Sequence, residues 1–253
     1  MRKIGIVPAR MKASRFPGKP LAKILGKPML HHVMNRANLY PNWDKLVLAT
    51  EDKEILNWAE EDGWDCYMTS DTHVRCLDRV AEAASLAVGD IKDDDLIVCV
   101  QGDEPILHPD MIEKVIDAAI LDPEAPCSVL CIEIKDEEQY RNKDIVKVVH
   151  DTNNNVLYTS RAPIPYSVKF TEQLNAKRIG GIFAFKWWFL KQYAKMSPAP
   201  LELIEACDSN RICGSGFKQK VADIEYRPCF SVDSPEDIKL VEKHMADDKY
   251  YVY

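Results

Sequence analysis

The first half of the chain alternates short apolar runs with amphipathic segments, and this alternation limits the possible folds more than any other feature. Residues 4–7, 45–49 and 96–100 are short, mainly apolar segments typical of buried strands, and the last consists of five consecutive apolar residues. Helical spacing of apolar residues follows the first two runs, over residues 28–37 and 52–61. This order predicts an α/β fold with a mostly parallel central sheet and helices on both faces.

A third helix is predicted from Asp71 or Thr72, and a fourth over residues 111–121. Beyond it the pattern changes, because strand-like runs follow one another with few helices between them. These runs are residues 128–134, 145–149, 156–159 and 179–185. We interpret this second half as a β-rich elaboration of the same domain.

Two helices are predicted near the carboxyl end of the chain. One covers residues 202–213, and the other begins at Pro235 with acidic residues in its first turn. The prediction is therefore one domain over residues 1–253 in three parts: a half that binds a ligand up to about residue 125, a β-rich half over about 126–230, and a carboxyl-terminal segment over 231–253.

A loop rich in cations follows the first apolar run. It carries Arg10, Lys12, Arg15, Lys19 and Lys23 among prolines and glycines that disfavour a helix. Because Arg and Lys form charge-assisted hydrogen bonds with phosphate oxygens, the loop indicates a polyphosphate ligand. A solvated basic loop without a ligand is the alternative explanation of the charges alone.

Two aspartates stand where they could hold a metal ion. Asp103 lies just after the strand at 96–100, between Gly102 and Glu104-Pro105, and Asp233 ends a short apolar run ahead of the last helix. Parallel sheets bind ligands beyond the carboxyl ends of their strands, where Asp103 and the cationic loop are both expected. A carboxylate next to phosphates recruits Mg²⁺. The alternatives are a turn residue for Asp103 and a helix N-cap for Asp233.

Composition excludes several classes of partner and chemistry. The chain of 253 residues has a net charge of −7 and a pI near 5.5, which disfavours duplex nucleic acid or an anionic membrane as the main partner. Its eight cysteines are scattered, as expected for free thiols in the cytoplasm, and neither a signal peptide nor a membrane-spanning run is recognised. The glycine-rich motifs of nicotinamide and P-loop enzymes are also missing.

The start of the third predicted helix adds further charges. His73, Arg75, Asp78 and Arg79 lie where the helix dipole favours an anion. A charged face with Arg75 and Arg79 four residues apart and no ligand explains the same pattern.

Five sequence motifs together resemble the 3-deoxy-manno-octulosonate (Kdo) cytidylyltransferase family. The motifs occur in the family's order over nearly the whole chain, and they are Pro8-Ala9-Arg10 with Ser14-Arg15 and the segment 17–21, then residues 100–105, 146–149, 158–166 and 232–237. The resemblance implies a Rossmann-like nucleotidyltransferase fold with a β-rich part for dimerisation and acceptor binding.

The reaction that the resemblance implies joins CTP to an acidic sugar. The 2-hydroxyl of the sugar attacks the α-phosphorus of CTP, and pyrophosphate leaves. Positioning and charge stabilisation account for most catalysis of this kind. The resemblance also implies a Mg²⁺ cofactor, a homodimer and a place in lipopolysaccharide biosynthesis.

The motifs assign roles on the nucleotide side. Arg10, Arg15 and Lys19 would hold the triphosphate, and Asp103 would bind Mg²⁺ together with Asp233. The remaining residues predicted to contact CTP are Pro8, Ala9, Ser14, His73, Arg79 and Gln101.

This chain departs from the family on both sides. Next to the nucleotide region, the usual His-x-Ser-Gly-Thr-Glu/Asp-Arg has an altered centre over residues 73–79, and in the sugar-binding helix the usual Leu-Glu-Gln-Leu-Arg is replaced over residues 207–211. The residues predicted to contact the acceptor are Arg161, Tyr166, Arg178, Glu205, Asp208 and Ser209.

Two other functions remain open at this point. Transfer to a different acid, such as an amino-Kdo, another ulosonate or a phosphonate, would explain the altered acceptor segment. A non-catalytic relative that senses CTP would explain the altered centre of residues 73–79, but such a protein has less need of two metal carboxylates.

Overall fold

A computed structural model describes residues 1–13, 15–73 and 75–250. The part of the chain up to the middle contains, in order, β1 (Lys3–Ala9), β2 (Lys23–Ile24), β3 (Lys27–Pro28), α1 (Met29–Asn38), β4 (Lys45–Thr50), α2 (Lys53–Asp62), β5 (Cys66–Met68), α3 (Cys76–Ala87), β6 (Leu96–Val100) and α4 (Pro109–Leu121). The rest contains β7 (Cys127–Glu133), α5 (Glu137–Arg141), β8 (Lys147–His150), β9 (Val156–Ser160), β10 (Lys177–Lys186), α6 (Trp187–Tyr193), α7 (Pro200–Glu205), α8 (Ser209–Gly214), β11 (Gln219–Ile224) and α9 (Pro235–Met245).

These elements belong to two compact units. The first unit comprises Met1–Glu113 and Pro228–Tyr253, and the second comprises Lys114–Arg227. The prediction of a single domain in three parts is not tested by this division and stays a prediction.

The sheet of the first unit is parallel, as the alternation of strands and helices predicts. β1 pairs with β4 on one side and with β6 on the other, and β5 pairs with β4. The register of β1 and β4 runs from Ile4 opposite Lys45 to Ala9 opposite Thr50. Because neighbouring parallel strands end at the same edge, the loops after β1 and β6 leave the sheet side by side.

One helix of the first unit begins later than predicted. α3 starts at Cys76 and not at Asp71 or Thr72. The reason is a local turn: Thr72 N–H donates to Ser70 Oγ at 3.2 Å, and the two hydroxyl oxygens lie 2.7 Å apart. Short hydroxyl side chains that bond to nearby backbone compete with helix formation, so the helix is delayed.

The carboxyl-terminal segment returns to the first unit. Val232, Val241 and Met245 are fully buried with Ile24 and Met29 in one apolar cluster. Phe16 and Phe230 pack against this cluster. The cluster therefore anchors both the cationic loop, through Phe16, and the chain next to Asp233, through Val232.

The sheet of the second unit is mainly antiparallel. β10 pairs with β7 and β8, β8 pairs with β9, and only β11 runs parallel to its partner β7 among the described pairs of this unit. β11 and the short helices α5 and α6 were not predicted from the sequence.

The predicted helix over residues 202–213 is two helices, α7 and α8. Ala206 between them has φ 51°, a left-handed conformation that ends α7. The carbonyl oxygen of Glu205, which a continuous helix would use internally, accepts a hydrogen bond from Arg161 Nε at 2.9 Å. A contact distant in sequence thus interrupts the helical pattern.

Burial agrees with the apolar runs of the sequence. All five residues of β6 are fully buried, and all eight cysteines, which lie within the described ranges, are free thiols. Within residues 1–13, 15–73 and 75–250, none of the helices has the length and apolar character needed to span a membrane.

Candidate active site

A pocket of about 270 Å³ lies in the first unit, at the edge where β1 and β6 end. Pro8 and Ala9 from the end of β1 line it, together with Gln101 and Gly102 from the loop after β6. Pro8, Ala9 and Gln101, which the sequence predicted as CTP contacts, are thus brought together in one pocket. Ser14, another predicted contact, lies outside the described residues.

Cations of the loop after β1 dominate one side of the pocket. Arg10, Lys12, Arg15 and Lys19 all line it. Lys12 was counted among the cations of the loop but was not assigned to the site. Lys23, which belongs to the small β2–β3 ribbon, is not among the described residues that line this pocket. The positive charges of the four lining residues indicate an anionic ligand.

The two aspartates predicted as metal ligands also line the pocket and meet these cations. Lys19 Nζ lies 2.8 Å from Asp103 Oδ2 and 3.8 Å from Asp233 Oδ1. Arg15 donates to Asp233 Oδ1 at 2.9 Å. One lysine therefore bridges two carboxylates that are 130 residues apart in sequence.

The carboxylates retain capacity to hold a cation. Asp103 Oδ1 is buried, and among the described residues it has no hydrogen-bond partner. Burial raises the pKa of Asp233, and repulsion from Asp103 raises it further, although Lys19 and Arg15 oppose this. A divalent cation would relieve both effects. The described residues form no cluster of three or more protein ligands, but Mg²⁺ needs only one or two carboxylates beside phosphate oxygens.

Backbone contacts hold these carboxylates in place. Val232 N–H donates to the carbonyl oxygen of Asp103 at 2.9 Å. Because Val232 directly precedes Asp233, this bond holds the backbones near the two predicted metal ligands together. Gly102 permits the close approach of this loop to β1, because a Cβ there would lie 2.8 Å from the Pro8 carbonyl oxygen. The helix N-cap is Ser234, so the alternative explanation of Asp233 as the cap is wrong.

His73 and Arg79 line the pocket but are engaged by other side chains. Arg79 is 3% exposed and forms a buried ion pair with Glu51. His73 Nε2 lies 2.5 Å from Glu82 Oε2. Arg79 is therefore buried rather than part of an exposed helix face, and the alternative of a charged face without a ligand is not tested. Arg75, one of the charges noted at the start of this helix but not assigned to the site, also lines the pocket.

The predicted acceptor residues belong to the second unit, where Arg161 and Glu205 form one hydrogen-bonded network. Glu205 accepts hydrogen bonds from the Tyr158 and Ser160 hydroxyls at 2.9 and 2.7 Å and from Arg161 N–H at 2.8 Å. Burial alone would raise the pKa of Glu205, but these donors and the Arg161 charge outweigh burial and lower it. The carboxylate is held in its charged form.

Lys147 contacts the same network through the carbonyl oxygen of Arg161. Its side chain is fully buried, and Nζ donates to the carbonyl oxygens of Asn142, Ile145 and Arg161 at 2.7 Å each. Burial, reinforced by the nearby Arg161 charge, lowers the pKa of Lys147 to about 8. This residue was not predicted, because a lysine inside a strand-like run gives no sign that it is buried.

The other four predicted acceptor residues differ in accessibility. Tyr166 is 82% exposed, whereas Arg178 is 7% exposed and Ser209 fully buried. Ser209 Oγ has no partner among the described residues, and Asp208 accepts a bond of 3.4 Å from the Tyr193 hydroxyl. Direct contact of these residues with an acceptor stays a prediction.

A cationic loop and paired carboxylates at the carboxyl edge of a parallel sheet are typical of an enzyme that transfers nucleotides. A family model described as "Cytidylyltransferase" matches residues 4–224. The chain is 39% identical to an 8-amino-3,8-dideoxy-manno-octulosonate cytidylyltransferase of Shewanella pealeana, over 96% of this chain and 98% of the relative. It is 36% identical to a 3-deoxy-manno-octulosonate cytidylyltransferase of Syntrophobacter fumaroxidans, over 98% of each chain.

A solved structure agrees with these relatives. A CMP:2-keto-3-deoxy-manno-octonic acid synthetase complexed with CTP matches with a TM-score of 0.86 and 30% identity, over 97% of this chain and 99% of that one. The chain therefore belongs to the cytidylyltransferase family and is a CTP-dependent nucleotidyltransferase. The predicted family, the Rossmann-like α/β fold and the enzyme class are confirmed.

Proposed function

We propose that the protein couples CTP to an eight-carbon sugar acid, Kdo or its 8-amino relative, and releases pyrophosphate. The observation that carries the proposal is the pocket in which Lys19 bridges Asp103 and Asp233 beside the cations of the loop. Cations suit a triphosphate, and carboxylates suit the metal that accompanies it.

The transfer follows from these groups. The acceptor hydroxyl gives up its proton to solvent, its oxygen forms a bond to the α-phosphorus, and the bond from the α-phosphorus to the bridging oxygen breaks. Pyrophosphate leaves with that oxygen and its negative charge. Arg15 and Lys19 stabilise that leaving charge, and Arg10 orients the triphosphate. Positioned charges are sufficient for this role, so the scheme requires no covalent intermediate on a side chain.

Asp103 and Asp233 are the residues that would hold Mg²⁺. The metal would polarise the α-phosphate and lower the pKa of the attacking hydroxyl. Asp103 Oδ1 has no partner in the described part of the chain and the pKa of Asp233 is raised, and both observations support this assignment because they favour a bound cation. Lys19, which contacts Asp103, is close enough to the pocket to contact the phosphates as well.

The experiment that tests the function measures pyrophosphate release with Mg²⁺. CTP, UTP and ATP are each combined with Kdo, 8-amino-Kdo, another ulosonate and a phosphonate. Turnover with CTP and an eight-carbon acid is the expected result, and turnover only with UTP or ATP would contradict it. Because the two relatives named above differ in acceptor, the ratio of kcat/KM for Kdo and 8-amino-Kdo assigns the substrate.

A CTP sensor without catalysis is the second candidate. Arg75, Cys76 and Leu77 replace the small polar centre of the family motif and favour it. The sensor predicts that CTP raises the melting temperature while no acid supports pyrophosphate release. The presence of both Asp103 and Asp233 in the pocket argues against it.

We also propose a homodimer in the cytoplasm. Leu157, Leu203 and Ile204 of the second unit are each more than half exposed, and burying them is favourable. Light scattering coupled to size-exclusion chromatography tests the dimer, and fractionation of cells tests the location.

A further inference from the structure

Asp52 follows β4 and precedes α2, a position at which an aspartate usually caps the helix. In the part of the chain that the structure describes, its side chain makes no capping bond to α2. Its Oδ2 accepts the Met11 backbone N–H at 2.7 Å instead. The carboxylate thus bonds to a residue 41 positions away, inside the cationic loop.

The sheet register explains how this contact arises. Ala9 and Thr50 are the last paired residues of β1 and β4, and Met11 and Asp52 each lie two residues beyond them. The side chain of Asp52 therefore continues the pairing of the two strands one step past the edge of the sheet. A carboxylate only accepts hydrogen bonds and binds an amide N–H more strongly than a neutral group does.

The Met11 backbone is held at both its N–H and its carbonyl oxygen. Its carbonyl oxygen accepts the Gly18 N–H at 2.9 Å, and Gly18 has φ 77°, which favours glycine. Lys19 follows directly and begins a short 3₁₀ helix. Met11 and Gly18 are thus joined through their backbones, and Asp52 fixes the Met11 end of this contact.

Two cations flank the anchored residue. Arg10 and Lys12 are adjacent to Met11 and line the pocket, and both are exposed. Exposed cations on long stems lose entropy when they bind a ligand, so a fixed backbone reduces the cost of binding.

We propose that Asp52 is a positioning residue, which directs the cationic loop from β1 towards the ligand through its bond to Met11. It does not contact the substrate itself. The effect of Asp52 on nucleotide binding rests on the proposed function, whereas its bond to Met11 is a property of the protein without a ligand.

The chain offers a matched control at the other end of the same two strands. Asp44 Oδ2 accepts the Lys3 N–H at 2.7 Å, so an aspartate next to β4 again holds a backbone amide next to β1. Asp44 is exposed and is not among the residues that line the pocket in the described structure. Asp44→Ala and Asp52→Ala remove the same kind of bond, one far from the pocket and one beside it.

Amide hydrogen exchange in the protein without nucleotide tests the anchor. In Asp52→Ala, we expect the Met11 amide to exchange at least about tenfold faster while Lys3 is unchanged, and Asp44→Ala should show the reverse. Unchanged protection of Met11 in Asp52→Ala would overturn the inference.

Calorimetric titration with CTP and steady-state kinetics test the consequence. Asp52→Ala should raise the Kd and the KM for CTP about tenfold, with a smaller change in kcat, whereas Asp44→Ala should leave both constants unchanged. Asp52→Asn should restore most of the affinity, because its amide oxygen still accepts the Met11 N–H.

The outcomes separate the two proposals. Equal CTP affinity in Asp52→Ala and wild type overturns the positioning role, and so does an equal loss in Asp44→Ala, which would indicate a general effect on stability. If wild-type protein binds no CTP, the proposed function fails, while the exchange data still decide whether Asp52 anchors the loop.

Discussion

The pocket of the first unit and the hydrogen-bonded network around Glu205 in the second unit use charged residues in opposite ways. In the pocket, cations outnumber their carboxylate partners, and Asp103 Oδ1 has no partner among the described residues. In the network, Glu205 accepts three hydrogen bonds and Lys147 donates three. Unmet hydrogen-bonding capacity marks a place for a ligand, whereas a satisfied network fixes a conformation.

The largest effect is expected from Asp103→Asn. Removing one charge from the pocket should lower kcat by roughly a thousandfold, about 4 kcal/mol, because the metal loses a ligand. CTP affinity should fall by less than about tenfold, since Lys19 gains freedom to contact phosphate. Pyrophosphate release and calorimetry measure the two quantities, with Asp44→Asn as the control. Unchanged turnover would exclude Asp103 as a metal ligand.

Lys147→Met tests the opposite region. It leaves three carbonyl oxygens without the buried donor that they share and should lower the free energy of unfolding by about 3 kcal/mol at pH 7. Lys143→Met, an exposed neighbour, is the control.

The pH dependence of the same variant follows from the lowered pKa. Between pH 8 and 10.5 the folded wild type binds fewer protons at Lys147 than the unfolded chain does, so its stability rises with pH there. Lys147→Met lacks this rise, and the difference between wild type and variant should grow from pH 7.5 to 9.5 in urea denaturation. An equal slope in both proteins would contradict the burial of a charged lysine.

Gly102→Ala concerns the backbone under the pocket. The new Cβ would lie 2.8 Å from the Pro8 carbonyl oxygen, so the loop carrying Asp103 must shift. We expect the free energy of unfolding to fall by about 2 kcal/mol. We also expect kcat/KM to fall further than in a control variant that keeps its stability. Gly89→Ala, where a Cβ meets nothing within 4 Å, should be near neutral in thermal melting and in turnover. Equal behaviour of the two variants would show that the close approach is dispensable.

Glu205→Gln is expected to have the smallest effect. It replaces one accepting oxygen by a donor and should cost about 1–2 kcal/mol at pH 7. Because the pKa of Glu205 is lowered, its contribution is complete above pH 4.5 and is lost as the pH falls below that value. The gap between wild type and variant should therefore narrow in acid, with Glu138→Gln as the exposed control. If the rise in the acceptor KM, expressed as a free energy, exceeds the loss in the free energy of unfolding, this would support direct binding of the acceptor by Glu205.

Sequence reasoning anticipated which residues line the pocket of the first unit better than the contacts within the network of the second unit, for a physical reason. Arg10, Arg15 and Lys19 come from one loop after one strand, so the topology of a parallel sheet places them together with Asp103. Arg161 and Glu205 meet through a fold of mostly antiparallel strands and short helices, whose pairing no local pattern specifies.

The sequence by itself determined the alternation of strands and helices, and with it the edge at which cations and carboxylates collect. Only the tertiary structure decided which charges are available there. Arg79 is committed to Glu51, Asp52 bonds to Met11 and not to its own helix, and Glu205 ends α7 by bonding to Arg161. These partners are 28, 41 and 44 residues apart, and periodicity in a single segment carries no information about contacts at such separations.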